Sequence, residues 1–314
     1  MAAFDKIVIV TQRTALQELV QRYNTKAQAK FYLVQNETPF TPYQESSDAY
    51  VAALGQVKAA LPGGVRTQFI DRDFLPNFLF GEGDLVLALG RDGLVVNIAK
   101  YLSGQVLVGI NPDPRRIDGV LVRFHAGQIP EVLRLAERGG LSVTNVTMAR
   151  VRLSDGQSLY AVNDLFIGQR THVSARYRLG YRGTEEDQSS SGIIVSTGAG
   201  STGWLRSILA GAAGVVQAFV SDPRVNQVRQ RHGFDWSAER LVYSVREPFV
   251  SKTTQANLVF GPIEAGEELV VTSHMPQQGV IFSDGVESDY LEFNSGRIAH
   301  IGLADRKVRL AAPR

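Results

Sequence analysis

Apolar residues in the first third of the chain fall in short runs, among them Ile7–Val10, Leu85–Leu89 and Val106–Ile110. Between these runs they recur at helical spacing. The alternation predicts strands over Lys6–Thr11, Val65–Ile70, Leu85–Leu89 and Val106–Ile110, with helices over Ala15–Tyr23, Ala49–Leu61 and Leu94–Leu102. Strands separated by helices need crossover connections, so this segment reads as a parallel sheet. Such sheets bind ligands beyond the carboxyl ends of their strands.

After a helix at Pro130–Arg138 the period shifts toward two. Leu141–Leu153, Leu159–Leu165, Val173–Leu179, Gly192–Val195, Leu241–Val245, Leu258–Phe260, Leu269–Thr272 and Val280–Phe282 read as short strands. One helix interrupts them, from Thr202 to about Val220. The expected architecture is therefore an α/β N-terminal domain over 1–125 and a β-rich, Greek-key-like C-terminal domain over 126–295, with a cleft between them. A C-terminal segment, 296–314, is left able to return to the first domain.

Composition narrows the class. The 33 basic and 31 acidic side chains nearly cancel, so no basic footprint demands nucleic acid. No apolar run approaches the roughly 20 residues of a membrane span. Without cysteine there is no disulfide, thiolate chemistry or Cys-based metal site. The strand-like Lys6–Val10 comes too early to leave room for a signal or transit peptide, which makes the cytoplasm of a bacterium the expected compartment. The histidines, at 125, 172, 232, 274 and 300, show no metal-ligand spacing, and neither a P-loop nor a G-x-S-x-G elbow occurs.

Two glycine-bearing stretches carry the candidate chemistry. Gly90-Arg91-Asp92-Gly93 follows a strand and opens a helix, where backbone amides can face phosphate and a carboxylate can take a hydroxyl proton. Gly93 would supply a positive φ or a close approach to a ligand. On these four residues alone, an ordinary helix cap is the preferred reading of Asp92. The second stretch, Ser196–Gly203, follows Ile193–Val195 and is rich in hydroxyls. Its Gly198–Gly203 portion fits the dinucleotide fingerprint G-x-G-x-x-G, with Asp222 near the distance wanted for a ribose contact. Its position inside the β-rich half argues against a dehydrogenase and leaves a structural turn open. Asn163-Asp164, at a strand end, would hold a ribose or form an Asx-turn. Asn111–Arg116 is a rigid polar loop that would face either phosphate or solvent.

Taken in order, these patches resemble the NAD kinases, whose marks are a GGDGT-type turn, an Asn-Glu pair and a glycine-threonine-rich segment. Here they stand as Gly90–Leu94, Asn163-Asp164 and Gly198–Thr202. Gly109–Pro114, Asn163–Gly168, Ser190–Gly192, Arg246–Pro248 and Leu291–Gly296 look like the mitochondrial-type branch. The resemblance covers about three quarters of the chain, from residue 85 on. It implies an NAD kinase/diacylglycerol kinase-like two-domain fold and phosphoryl transfer from ATP or another donor to the 2′-hydroxyl of NAD. It implies Mg²⁺ entering with ATP, no metal-binding side chains of the protein's own, and a dimer or tetramer. By position, Asp92 matches the proton acceptor and Gly90, Arg91 and Gly93 the phosphate-binding turn. Asn163, Asp164, Ser191, Thr197, Thr202, Gly203, Trp204 and Ser207 match the NAD-binding wall, with Trp204 where a tyrosine is common. The chain departs from the pattern at Arg91 for glycine, Leu94 for threonine and Asp164 for glutamate. If residue 91 needs a left-handed backbone, its side chain costs about 1–2 kcal/mol. The alternatives are a nucleotide-binding homologue with impaired catalysis, a lipid or other small-molecule kinase of the same superfamily and, more remotely, a Rossmann dehydrogenase.

Overall fold

Four parallel strands, β1 (Lys6–Thr11), β2 (Arg66–Asp71), β3 (Asp84–Leu89) and β4 (Val106–Asn111), lie in the order β4-β3-β1-β2. The short β5 (Phe124–His125) adds to β4. Helices α1 (Ala15–Tyr23), α2 (Lys26–Gln35), α3 (Thr41–Ala60), α4 (Asp92–Ala99) and α5 (Ile129–Glu137) accompany them. β3 is buried along its whole length, which is why Leu85–Leu89 is continuously apolar rather than alternating. Its Leu85, Leu87 and Leu89 share a core with Ile7, Ile9, Val57 and Ile110.

The computed structural model describes residues 4–230, 233–287 and 289–313. They divide into two units: residues through Thr144 with those from Val308 onward, and Asn145–Lys307. The division falls after Thr144 rather than near residue 125. The reason is α5, whose Ile129, Val132, Leu133 and Ala136 pack into the core of the first unit. The chain's end also belongs there, with Arg309 and Leu310 pairing parallel to Val106 and Leu107 of β4.

The second unit is a sandwich of antiparallel sheets. Its strands are β6 (Val143–Leu153), β7 (Ser158–Ala161), β8 (Asp164–Gln169), β9 (Ala175–Tyr181), β10 (Thr184–Ser190), β11 (Ile193–Ser196), β12 (Arg240–Val245), β13 (Phe260–Glu264), β14 (Leu269–Ser273), β15 (Gly279–Ser283), β16 (Tyr290–Glu292) and β17 (Ile298–Ala311). One sheet runs β13-β12-β11-β8-β15-β16; the other holds β10-β9-β14-β17. Residues Leu165, Ile167, Ile193, Val195 and Ile281 point inward to meet Tyr177, Leu179, Val271 and Ile301 of the opposite sheet. The alternate residues Phe166, Ile194 and Val280 face outward and are covered by α6 (Trp204–Gln217) through Trp204 and Ile208. A further helix, α7 (Pro223–Gln230), packs on α6.

Candidate functional site

The turn after β3 is held from two sides. Gly90 donates its amide to the Ile110 carbonyl of β4 at 3.1 Å. The buried Tyr50 hydroxyl accepts from the Gln12 amide at 3.0 Å and donates to the Leu89 carbonyl at 3.2 Å, tying the mouth of β1 to that of β3. A Cβ at position 90 would meet Leu94 Cδ2 at 2.8 Å and the side-chain amide of Gln12 at 3.1 Å, so a larger residue there would have to displace both side chains.

Arg91 has φ −98° and ψ 172°, ordinary extended backbone, so its side chain carries no left-handed penalty. Its side chain is exposed, and it occupies the N-cap of α4 without capping it. Gly93 is not among the positive-φ glycines, and a Cβ there would meet nothing within 4 Å. The positive φ expected of Gly93 is therefore absent. Leu94 is buried beside Gly90, pointing its side chain away from solvent.

Asp92 is the first residue of α4 rather than its cap. Its carboxylate accepts the amides of Val120 (3.0 Å), Leu121 (2.8 Å) and Val122 (3.1 Å). Those three amides belong to a loop shaped by Asn111, which donates to the Ile117 carbonyl at 2.7 Å and accepts from the Asp113 amide at 3.0 Å. In the same loop Arg116 is paired with Asp113 and Glu45, while Arg115 lies 3.8 Å from Asp113 and is almost wholly exposed. Beyond the carboxyl ends of β1 and β2 lies a cavity of about 490 Å³, lined in part by Thr11, Gln12, Arg13, Tyr50 and Asp71. Gln12 is thus shared between this cavity and the Gly90 turn.

In the second unit, Asn163-Asp164 and the Ser196–Gly203 stretch are stitched together by the backbone. The Thr197 amide donates to the Asn163 carbonyl (2.9 Å), its hydroxyl donates to the Val162 carbonyl, and that hydroxyl accepts from the Gly200 amide (3.2 Å). A Cβ on Gly200 would lie 2.1 Å from the Asn163 carbonyl oxygen and 2.8 Å from Asp164 Oδ1. One on Gly198 would lie 2.2 Å from the Asp235 carbonyl oxygen. These glycines are close-approach residues. Thr197 and Ser201 are fully buried, and the Ser201 hydroxyl joins the Gly198 carbonyl (2.6 Å) to the Phe234 amide (3.1 Å). Their hydroxyls build the wall rather than line it.

Asp164 Oδ1 is buried without a hydrogen-bond partner. Burial pushes the carboxyl up to about 7 against the opposing hydrogen bond of Ser196, and the charge of Asp284 adds to the rise. Asp284 itself accepts the amides of Val162, Asn163 and Asp164. Sequence reasoning missed it, because Asp284-Gly285 looks like any turn between strands.

Thr202 and Gly203 are exposed at the entry to α6, and Ser207 is exposed one turn on. Trp204 is half-buried, stacked on Phe166 (ring centroids 6.0 Å apart), with the Arg246 guanidinium 5.5 Å from the ring centroid. Ser191 is exposed, its amide donating to the Arg246 carbonyl at 2.9 Å. The structure thus brings Asn163, Asp164, Thr197 and Gly200 together in the second unit, and Gly90–Gly93 with the 120–122 loop in the first. β11 is antiparallel to both of its neighbours, so Gly198–Gly203 opens no βαβ unit and the fingerprint match has no Rossmann context. Among the described residues no group of three His, Asp or Glu side chains could hold a metal. His232 lies outside the described residues. No described helix is long and apolar enough to cross a membrane.

No protein-family profile and no curated protein sequence matches the chain. Solved structures do match in fold. Yeast NADH kinase, in complex with NADH, aligns with a TM-score of 0.60 over 99% of this chain and 84% of its own, at 11% identity. An NAD kinase from Archaeoglobus fulgidus, in complex with ATP, aligns with a TM-score of 0.56 over 98% of this chain and 93% of its own, at 17% identity. The α/β unit followed by a β-rich unit is the fold of the NAD kinases.

Proposed function

We propose that the chain is an NAD kinase-like phosphotransferase, moving a phosphoryl group from ATP or another phosphate donor to the 2′-hydroxyl of NAD. The observation that carries this reading is the exposed Arg91 beside the open Gly93 at the N-terminus of α4. A cation at the positive end of a helix costs about 0.3–1 kcal/mol, which a bound anion would reverse. The donor's phosphates would lie against Gly90, Arg91 and Gly93, with the remainder of the donor in the cavity shared through Gln12. The acceptor would lie along Asn163, Asp164, Thr202, Gly203 and Trp204, with Ser191 and Ser207 at its margin and Thr197 holding the wall.

In the reaction the acceptor's 2′-oxygen attacks the terminal phosphorus, the bridging P–O bond breaks and the shortened donor leaves. Asp92 takes the hydroxyl proton. Three amides occupy three of the roughly four lone-pair positions of its carboxylate, leaving one on Oδ2 for that proton. Mg²⁺ would enter as an ion carried on the donor's oxygens, where it would neutralise phosphate charge, since among the described residues no cluster of carboxylates or imidazoles is available to hold it. Most of the acceleration would come from positioning and charge neutralisation.

The test is NADP formation from NAD, Mg²⁺ and ATP or polyphosphate, compared with Asp92→Asn. Because Asp92 also holds the 120–122 loop, the variant's melting curve must be recorded alongside. No product above a folded Asp92→Asn control, with NAD binding intact, would overturn the kinase reading. That outcome would favour the second reading, a nucleotide-binding homologue without transfer, for which the occupied carboxylate of Asp92 speaks.

A further inference from the structure

Asp284 lies outside every motif that marks the site, and the proposed reaction gives it no part. It stands just beyond β15 in the left-handed region (φ 57°), followed by Gly285 (φ 71°). From there its carboxylate accepts the amides of Val162 (3.2 Å), Asn163 (2.7 Å) and Asp164 (3.2 Å). Its own amide donates to the Asp164 carbonyl at 2.8 Å. The β15–β8 ladder ends at Ser283 opposite Leu165, and just beyond it the Asp284 side chain adds three bonds to the one its own amide makes. Bonds to a charged acceptor are roughly twice as strong as neutral ones, so three on one carboxylate leave this turn little freedom.

We propose that Asp284 is the positioning residue of the acceptor turn, gathering three successive amides and so fixing the directions in which Asn163 and Asp164 present their side chains. This rests on the reading that the turn holds the acceptor nucleotide. The groups facing the Asp164 carboxyl are Asp284 from the end of β15, Ser196 from β11 and Gly200 from the loop beyond it. Asp284 thus does two things. It aims the turn, and its negative charge keeps the proton on Asp164 to higher pH than burial alone would.

The experiment uses the full chain as wild type, Asp284→Asn and Asp164→Asn. Carboxyl-carbon NMR follows the titration of Asp164, assigned by its loss in Asp164→Asn, while steady-state kinetics give KM for NAD and kcat. In Asp284→Asn the Asp164 midpoint is expected to move to lower pH. KM for NAD should rise about tenfold with a much smaller change in kcat, the sign of lost binding rather than lost chemistry. A lower melting temperature with an unmoved midpoint and unchanged KM would make Asp284 merely structural and overturn the proposal. If Asp284→Asn does not fold, hydrogen exchange in the wild type decides. Slow exchange at the amides of Val162, Asn163 and Asp164 supports the proposal, and fast exchange overturns it. Should the wild type form no NADP, the reaction reading falls, while titration and exchange, which need no ligand, still decide the role of Asp284.

Discussion

Gly93→Ala separates what the β3–α4 turn needs for folding from what it needs for a ligand. Gly93 is the second residue of α4, has no positive φ, and offers open space to a methyl group. Alanine is favoured over glycine inside a helix by roughly 0.5–1 kcal/mol. In the first turn the lower figure is appropriate, and about 0.5 kcal/mol corresponds to a rise in Tm of about 1–2 °C. A phosphate approaching the amides of this turn would meet the new methyl. Losing one charge-assisted hydrogen bond costs about 1.5–3 kcal/mol, roughly a ten- to hundredfold fall in kcat/KM for the donor. The expected signature is a protein that is slightly more stable and much less active. Thermal melts and donor-dependent kinetics on the same preparation measure both. A lowered Tm would show that the turn has a folding requirement for glycine after all. Unchanged kcat/KM at raised Tm would mean that no ligand comes near residue 93, and the proposed donor site would be lost.

Gly200→Ala should do the opposite, because its Cβ would sit 2.1 Å from a backbone carbonyl that cannot swing aside. A loss of about 1–3 kcal/mol is expected from overpacking, read by urea unfolding; a neutral result would mean that the Asn163 turn yields easily. Arg91→Ser has no strain to relieve, but serine at an N-cap should stabilise α4 by about 1 kcal/mol, while KM for the donor rises in a salt-dependent way. Unchanged donor KM would remove Arg91 from phosphate binding. Asp164 binds its proton more tightly folded, near 7, than unfolded, near 3.9, so the folded state holds the extra proton between those values. Its contribution to stability is fully present below about pH 4 and fades toward pH 7 by up to about 1.4 kcal/mol per pH unit. Melts of wild type against Asp164→Asn from pH 5 to 8 should show that slope only in the wild type; parallel curves would refute it.

The strands and helices that place the Gly90 turn were legible because their apolar runs report burial directly. β10 was not, since Thr184–Ser190 reads as polar loop. Its Glu186, Gln188 and Ser190 are buried all the same, Glu186 accepting the Asn257 and Leu258 amides and the other two bonding to the Tyr177 hydroxyl. A satisfied polar group inside a sandwich leaves no hydrophobic signal. α2 escaped for a different reason, with only Ala29 and Leu33 buried among ten residues. At the site, residue types and order pointed to Asp92, Asn163 and Asp164. The partners of those residues did not follow, because Asp92 meets amides about 30 residues away and Asp284 meets amides 120 or more residues away. Whether Arg91 needs a left-handed backbone is open in the sequence, since a glycine in the family pattern need not mark that conformation; its φ of −98° settles it.

The pairing of Arg309 and Leu310 with β4 has a consequence for biosynthesis. The strand that closes one side of β4 leaves the ribosome only after every residue of the second unit has been made. Until then the backbone of Val106 and Leu107 has an unpaired edge, beside a core that is otherwise complete. An N-terminal fragment ending before Val308 should therefore collect intermediates that present this edge to other chains. The order of synthesis, more than the stability of either unit, then sets when the edge at the start of β4 becomes safe from aggregation.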